Sequence, residues 1–249
     1  MTYSVLATAK TPSLVIYLLD VSASMFQPLG EKQRISVVTD ALTAALRQMI
    51  FRSTRGGRLS PRYRVAMLAY SDHVYDLLDG IKTIGEVAHM GVPELSPMRT
   101  TDTANAFIKA ERILQAELPN LQDGPAPLVC HMTDGEYTGD DPEPTVRRIM
   151  EMSVPDGNVL VENIFISDRV LPEQIRDPNK WPGILPDTPL SSDYAKKLRD
   201  MSSQVPASYR EMMQENNYSL APGAVMLLPG TTPELVAMGF QMSAATPVR

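Results

Sequence analysis

Leu14-Val15-Ile16-Tyr17-Leu18-Leu19-Asp20-Val21-Ser22-Ala23-Ser24-Met25 is the stretch that decides how this chain is read. Residues 14–19 are continuously apolar, rich in strand formers and too few to cross a bilayer. They predict a strand buried on both faces, which belongs at the centre of a sheet. One carboxylate and two hydroxyls follow directly at alternate positions, Asp20, Ser22 and Ser24, with no bulky charge between them. Hard oxygen donors at the end of a buried strand suit a hard divalent cation, Mg²⁺ above all.

Outward from this stretch, the apolar pattern alternates between strand and helix. Ile35, Val38, Leu42, Leu46, Met49 and Ile50 recur at three- and four-residue steps and predict a crossover helix over 35–51. Residues 64–70 and 74–78 predict a second and a third strand. The link Ser71-Asp72-His73 is too short for a parallel crossover, so this pair is antiparallel and the third strand lies at an edge. A short helix is expected at 84–90, and another with Ala106, Ile108, Ile113 and Leu114 on its apolar face. Further strands are expected at 128–132, 159–166 and 224–228. Helices are expected at 142–152, 193–203, 207–216 and 233–242, the last capped by Thr231 or Thr232 with Glu234 behind it.

Composition sets the class. The chain of 249 residues is 43% hydrophobic and 21% charged, ordinary values for a globular protein, and one hydrophobic core is possible at this length. We read one domain over 1–249, with an extended insertion at 167–222 between the fifth and sixth strands. With 29 acidic against 23 basic residues the net charge is -6, which argues against nucleic acid as partner. Arg52, Arg55, Arg58, Arg62 and Arg64 cluster near Gly56-Gly57 and read as a solvated loop, with a contact for an acidic partner as the alternative. Cys130, the only cysteine, lies in an apolar run and reads as a buried, inert thiol. The first residues lack the basic and long apolar regions of a signal peptide, and no segment is long enough to span a membrane, so the expected address is cytoplasmic, without membrane contact.

Strands separated by helices imply a mostly parallel, doubly wound sheet of about six strands with helices on both faces and one antiparallel edge strand, a Rossmann-like three-layer arrangement. In such sheets ligands bind at the carboxyl ends of the strands, where the strand order reverses. With the first strand central, the second and third on one side and the fourth and fifth on the other, the reversal falls between the first and fourth. Asp20, Ser22, Ser24 and Asp134 would then share one crevice. The loop with Thr100 and Thr101 would open on the same edge.

Asp20-Val21-Ser22-Ala23-Ser24-Met25 resembles the DxSxS signature of von Willebrand factor type A domains, which continues with a distant threonine and then an aspartate, often in Thr-Asp-Gly. Thr101 matches that threonine in Thr101-Asp102-Thr103-Ala104-Asn105-Ala106-Phe107, and Asp134 matches the aspartate in Thr133-Asp134-Gly135. The likeness runs from about residue 12 to 166 and continues more weakly to the last strand and helix. Two departures stand out: Arg99 and Thr100 occupy the places of the usual glycines, so that a register slip would make Thr100 the ligand, and 167–222 exceeds what the family core needs. The resemblance implies a metal-ion-dependent adhesion site, in which Ser22, Ser24 and Thr101 hold Mg²⁺ (or Mn²⁺) directly, or nearly so, and Asp20 and Asp134 bind it directly or through water. It also implies an open coordination position filled by an Asp or Glu of a protein partner. A looser likeness joins the chain to small intracellular bacterial members of tellurium-resistance type and related stress or phage-defence operons.

Other readings carry less of the pattern. Ser22 and Ser24 as mere turn caps would leave the gathering of oxygens on one edge unexplained. A haloacid dehalogenase type phosphatase needs a second carboxylate two residues after the first, where Ser22 stands. There is no Gly-x-Ser-x-Gly elbow and no phosphate-binding loop with lysine. A metal-dependent hydrolase would want a general base near Asp20, and no histidine or glutamate is placed for it. The expectation is therefore a non-enzymatic interaction module, with a hydrolase or a metal-free scaffold as alternatives. His73, His89 and His131 show no ligand spacing, and Glu136, Asp140 and Asp141 read as solvated loop charges. The segment 167–222 is expected to form a second contact surface that helps choose the partner, with Trp181 among Pro178, Pro182 and Pro186 as its anchor; the alternative is that Trp181 covers a helix and the segment is only a lid.

Overall fold

The computed structural model describes residues 3–96 and 102–248. Its centre is a seven-stranded sheet. In chain order the strands are β1 (Ser13–Asp20), β2 (Tyr63–Tyr70), β3 (Val74–Asp76), β4 (Lys82–Thr83), β5 (Leu128–Thr133), β6 (Leu160–Phe165) and β7 (Leu227–Pro229). They are ordered β7-β6-β5-β1-β2-β3, with β4 also paired to β2. All neighbours are parallel except β3 and β4, which both run antiparallel to β2. The expected antiparallel edge is thus present, and the two-residue β4 extends it.

Period-two alternation along β1 divides the core. Val15, Tyr17 and Leu19 face one layer, and Leu14, Ile16 and Leu18 the other; all six are fully buried. The first layer is covered by α1 (Arg34–Ser53), α2 (Ile84–Met90), α6 (Ala207–Glu215) and α7 (Pro233–Ser243). The second is covered by α3 (Thr103–Glu117), α4 (Glu143–Glu151) and α5 (Asp193–Asp200). Each of these large apolar side chains contributes on the order of 1.5–3 kcal/mol when buried, so β1 is the element on which both layers depend.

Local chemistry fixes the ends. Thr83 and Glu86 form a reciprocal capping box on α2. Thr232, rather than Thr231, accepts from the Leu235 amide and caps α7. Helix α7 lies close on β6 at Gly239, where a Cβ would stand 2.7 Å from Ile164. Gly56 and Gly57, with φ of 53° and 74°, turn the small hairpin Thr54–Arg55/Arg58–Leu59, in the segment whose composition suggested an irregular loop.

Three particulars differ from the sequence reading. Strand β7 begins at Leu227 rather than Ala224, because Val225 is engaged in isolated bridges to Ile184 and Gln204. Three of the clustered arginines are structural rather than solvated. Arg52 donates to Tyr63 and to the Ala244 and Thr246 carbonyls, Arg62 is buried on the Arg52 carbonyl, and Arg64 pairs with Glu117. Asp141 is likewise tied down, by Lys197 of α5 at 2.5 Å. Among the described residues no helix is long and apolar enough to cross a membrane.

Candidate metal centre

The carboxyl ends of β1 and β5 are adjacent in the sheet, and the two acidic residues stand there. Asp20 closes β1, and Asp134 follows the last residue of β5. Past Asp20 the chain turns into a short 3-10 helix, Ala23–Phe26, whose N-cap is Ser22. That turn directs both serine hydroxyls back towards the crevice. Ser22 Oγ lies 3.0 Å from Ser24 Oγ, and Ser24 Oγ donates to Asp134 Oδ1 at 2.6 Å.

Asp20 is fully buried. Its Oδ1 accepts the Ser22 amide at 2.8 Å and its Oδ2 accepts the Thr133 hydroxyl at 2.8 Å. Burial dominates, however, and raises its pKa from the usual carboxylate range to about 6, with the Ser22 and Thr133 hydrogen bonds opposing the rise. No basic side chain among the described residues pairs with it. Asp134 differs in this respect: Arg34 Nη1 lies 2.8 Å from its Oδ2, and the Asp134 side chain is only 1% exposed. Among the described residues the cluster therefore sets two carboxylates against one guanidinium, and the carboxylate without a basic partner is Asp20.

The donor set fits a hard divalent cation. Ligand oxygens on adjacent vertices of a Mg²⁺ octahedron are about 2.8–3.0 Å apart, given metal–oxygen distances of about 2.0–2.1 Å. The spacings from Ser22 to Ser24 and from Ser24 to Asp134 are 3.0 and 2.6 Å. The donors are oxygens throughout. Among the described residues no group of three or more His, Cys, Asp or Glu side chains is placed to hold a metal ion, so this cluster depends on hydroxyls beside its two carboxylates.

The structure thus brings together Asp20, Ser22, Ser24 and Asp134 from the sequence reading. Thr101 and the alternative Thr100 lie outside the described residues. The residue that follows them, Asp102, caps α3 by accepting from the Asn105 amide, and its own amide bonds the Ser71 carbonyl just past β2. Two residues escaped the sequence reading. Thr133 was seen only as part of Thr-Asp-Gly, although on a parallel neighbour its hydroxyl faces Asp20. Arg34 was seen only as the end of a polar connection; a cation opening a helix, against the helix dipole, was the signal that it answers a carboxylate elsewhere.

The histidines and the cysteine stand apart from this cluster. His131 is fully buried, with Nε2 at 2.7 Å from Tyr70 Oη and Nδ1 at 2.7 Å from Asn163 Oδ1, and burial lowers its pKa to about 4. His73 and His89 are exposed. Cys130 is fully buried, and burial pushes its thiol pKa well above the ordinary value. A cleft of about 480 Å³ opens on the carboxyl edge beside the cluster, with Leu29, Arg34, Ile166, Leu171 and Ile175 in its walls.

No protein-family model and no curated protein matches the sequence. Solved structures do match in fold. The PilB minor pilin of Streptococcus sanguinis, solved as its D319A mutant, aligns with 92% of this chain and 60% of its own at 11% identity and a TM-score of 0.55. An aerotolerance-related membrane protein of Bacteroides fragilis, solved with multiple mutations to serine, aligns with 76% of this chain and 86% of its own at 15% identity and a TM-score of 0.50. The SpRpn10 VWA domain aligns more loosely, at 13% identity and a TM-score of 0.45 over 63% of this chain and 76% of its own. At identities this low the likeness is one of fold alone: a mostly parallel, Rossmann-like α/β sheet flanked by helices.

Proposed function

We propose that this chain is a metal-dependent protein-interaction module of the von Willebrand factor A kind. Asp20, Ser22, Ser24 and Asp134 would hold Mg²⁺ or Mn²⁺, with Thr101 completing the set as the sequence resemblance implies. The observation that carries this reading is Asp20, a fully buried carboxylate without a counter-cation among the described residues, beside Ser22, Ser24 and Asp134, whose oxygens stand at ligand spacing from one another. A buried charge left in this state is costly unless something neutralises it. When bound, the ion supplies a Lewis-acidic position that an Asp or Glu of the partner completes, a contact neutral side chains make poorly.

The chain's own groups hold the donors in place. Thr133 and the Ser22 amide orient Asp20, and Ser24 and Arg34 orient Asp134. The insertion at 167–222 borders the same edge: Lys197 of α5 bonds Tyr137 and Asp141, in the loop that follows Asp134. We assign this insertion a role in choosing the partner. On the looser likeness in sequence, the setting would be a cytoplasmic adaptor in a bacterial stress-response or defence system.

The test is affinity purification of the intact protein beside Asp20→Ala, each with Mg²⁺ and with excess chelator. Partners retained only by the intact protein in Mg²⁺ support the reading. Partners retained equally under all conditions would favour a metal-free scaffold, and phosphoester turnover abolished by Asp20→Ala would favour a hydrolase.

A further inference from the structure

The candidate metal centre already contains a cation of the protein's own. Arg34 engages Asp134 Oδ2 while Ser24 engages Asp134 Oδ1, so both oxygens of that carboxylate are occupied. Nothing local to Arg34 accounts for its placement. It is the first residue of the 20-residue α1, where the helix dipole disfavours a cation, and the first turn carries no acidic residue to offset it. Its Nε is buried without a hydrogen-bond partner among the described residues, so the side chain forgoes one donor in order to reach Asp134.

We propose that Arg34 sets the divalent-ion affinity of this site by competing with the ion for Asp134. The proposal rests on the metal reading above. A guanidinium and a doubly charged ion on one carboxylate repel each other, and around a side chain that is 1% exposed the repulsion is weakly screened. An ion taking Asp134 Oδ2 displaces Arg34. One taking Oδ1 displaces the Ser24 hydrogen bond and sits beside a retained positive charge. Either route weakens binding relative to the same site without Arg34. The 480 Å³ cleft that Arg34 lines gives the displaced guanidinium room on the same edge. Ion loading would then follow the ambient concentration instead of being permanent.

The test titrates Mn²⁺ alone into the full chain, by calorimetry and by the electron paramagnetic resonance of free Mn²⁺. It uses the wild type, Arg34→Gln and Arg34→Met as neutral variants, and Arg34→Lys, which keeps the charge; circular dichroism shows which are folded. The neutral variants should bind Mn²⁺ at least 10-fold more tightly than wild type, with Arg34→Lys close to wild type, and Mn²⁺ should raise the melting temperature of the neutral variants by more. Binding by a neutral variant where the wild type shows none also supports the proposal. Equal or weaker binding by folded neutral variants, beside a wild type that binds, overturns the role of Arg34 and leaves the metal reading standing. If no folded form binds Mn²⁺ at millimolar concentration, the metal reading itself fails and the proposal with it.

Discussion

The Thr133 hydroxyl donates to Asp20 Oδ2 at 2.8 Å, tying the ends of the two neighbouring strands that carry the acidic residues of the site. Together with the amide and hydroxyl of Ser22 it opposes the rise in pKa that burial imposes on this carboxylate. Thr133→Val keeps the branched shape and removes the donor. A hydrogen bond to a charged group is worth about 1.5–3 kcal/mol, so urea denaturation at neutral pH should show a loss of that order, together with weaker Mg²⁺ binding. Unchanged stability and unchanged binding would mean that the Asp20 carboxylate needs no such support.

Burial holds His131 neutral, with a pKa of about 4 against an ordinary value near 6.5. Between these two values the unfolded chain binds a proton at this position that the folded chain does not. Stability contributed here is therefore complete above about pH 6.5 and is lost as pH falls towards 4, by roughly 3 kcal/mol in all. Asp20 acts in the opposite sense between about pH 4 and 6, since its folded pKa is raised. The contribution of His131 is isolated by comparing pH–stability curves of wild type and His131→Gln. The variant should lose less stability on acidification, and parallel curves would contradict this.

Glu162 lies in β6, fully buried, and neither carboxyl oxygen has a hydrogen-bond partner among the described residues. Burial raises its pKa well above the ordinary value, opposed only by the thiol of its register partner Cys130. Replacing an unpaired buried polar group with an apolar one of similar volume removes a desolvation cost of about 1–3 kcal/mol. Glu162→Met should thus raise the melting temperature by several degrees. A lower melting temperature would show that the carboxyl group stabilises the native packing.

Trp181 is half-buried and packs against both hydrophobic layers. Truncation of a fully buried tryptophan costs about 3–5 kcal/mol. For this partly exposed ring Trp181→Ala should cost somewhat less, on the order of 2–3 kcal/mol, seen as a clear fall in melting temperature. No fall would leave the ring's role to a partner.

Much of the fold was legible because β1 is so plainly a doubly buried strand and because the three-residue link 71–73 forces an antiparallel edge. The four donors at the carboxyl edge followed from that order. What escaped depended on long-range pairing. Arg34 and Asp134 are 100 positions apart, and no local pattern joins them. Arg52 reads as a loop charge until α7 delivers the Ala244 and Thr246 carbonyls to it. Strand β7 starts late because Val225 bridges to Ile184 and Gln204, pairings across long stretches of chain that no local pattern marks.

On the proposed reading, the oxygen cluster at the end of β1 binds one hard divalent ion. Calorimetric titration of Mg²⁺ and Mn²⁺ into the wild type, Asp20→Ala and Ser22→Ala is the decisive test. One ion per chain should bind the wild type weakly, through largely neutral ligands, and binding should be lost in both folded variants. Unaltered binding in Asp20→Ala, or a tight Zn²⁺ site that survives both substitutions, would contradict it.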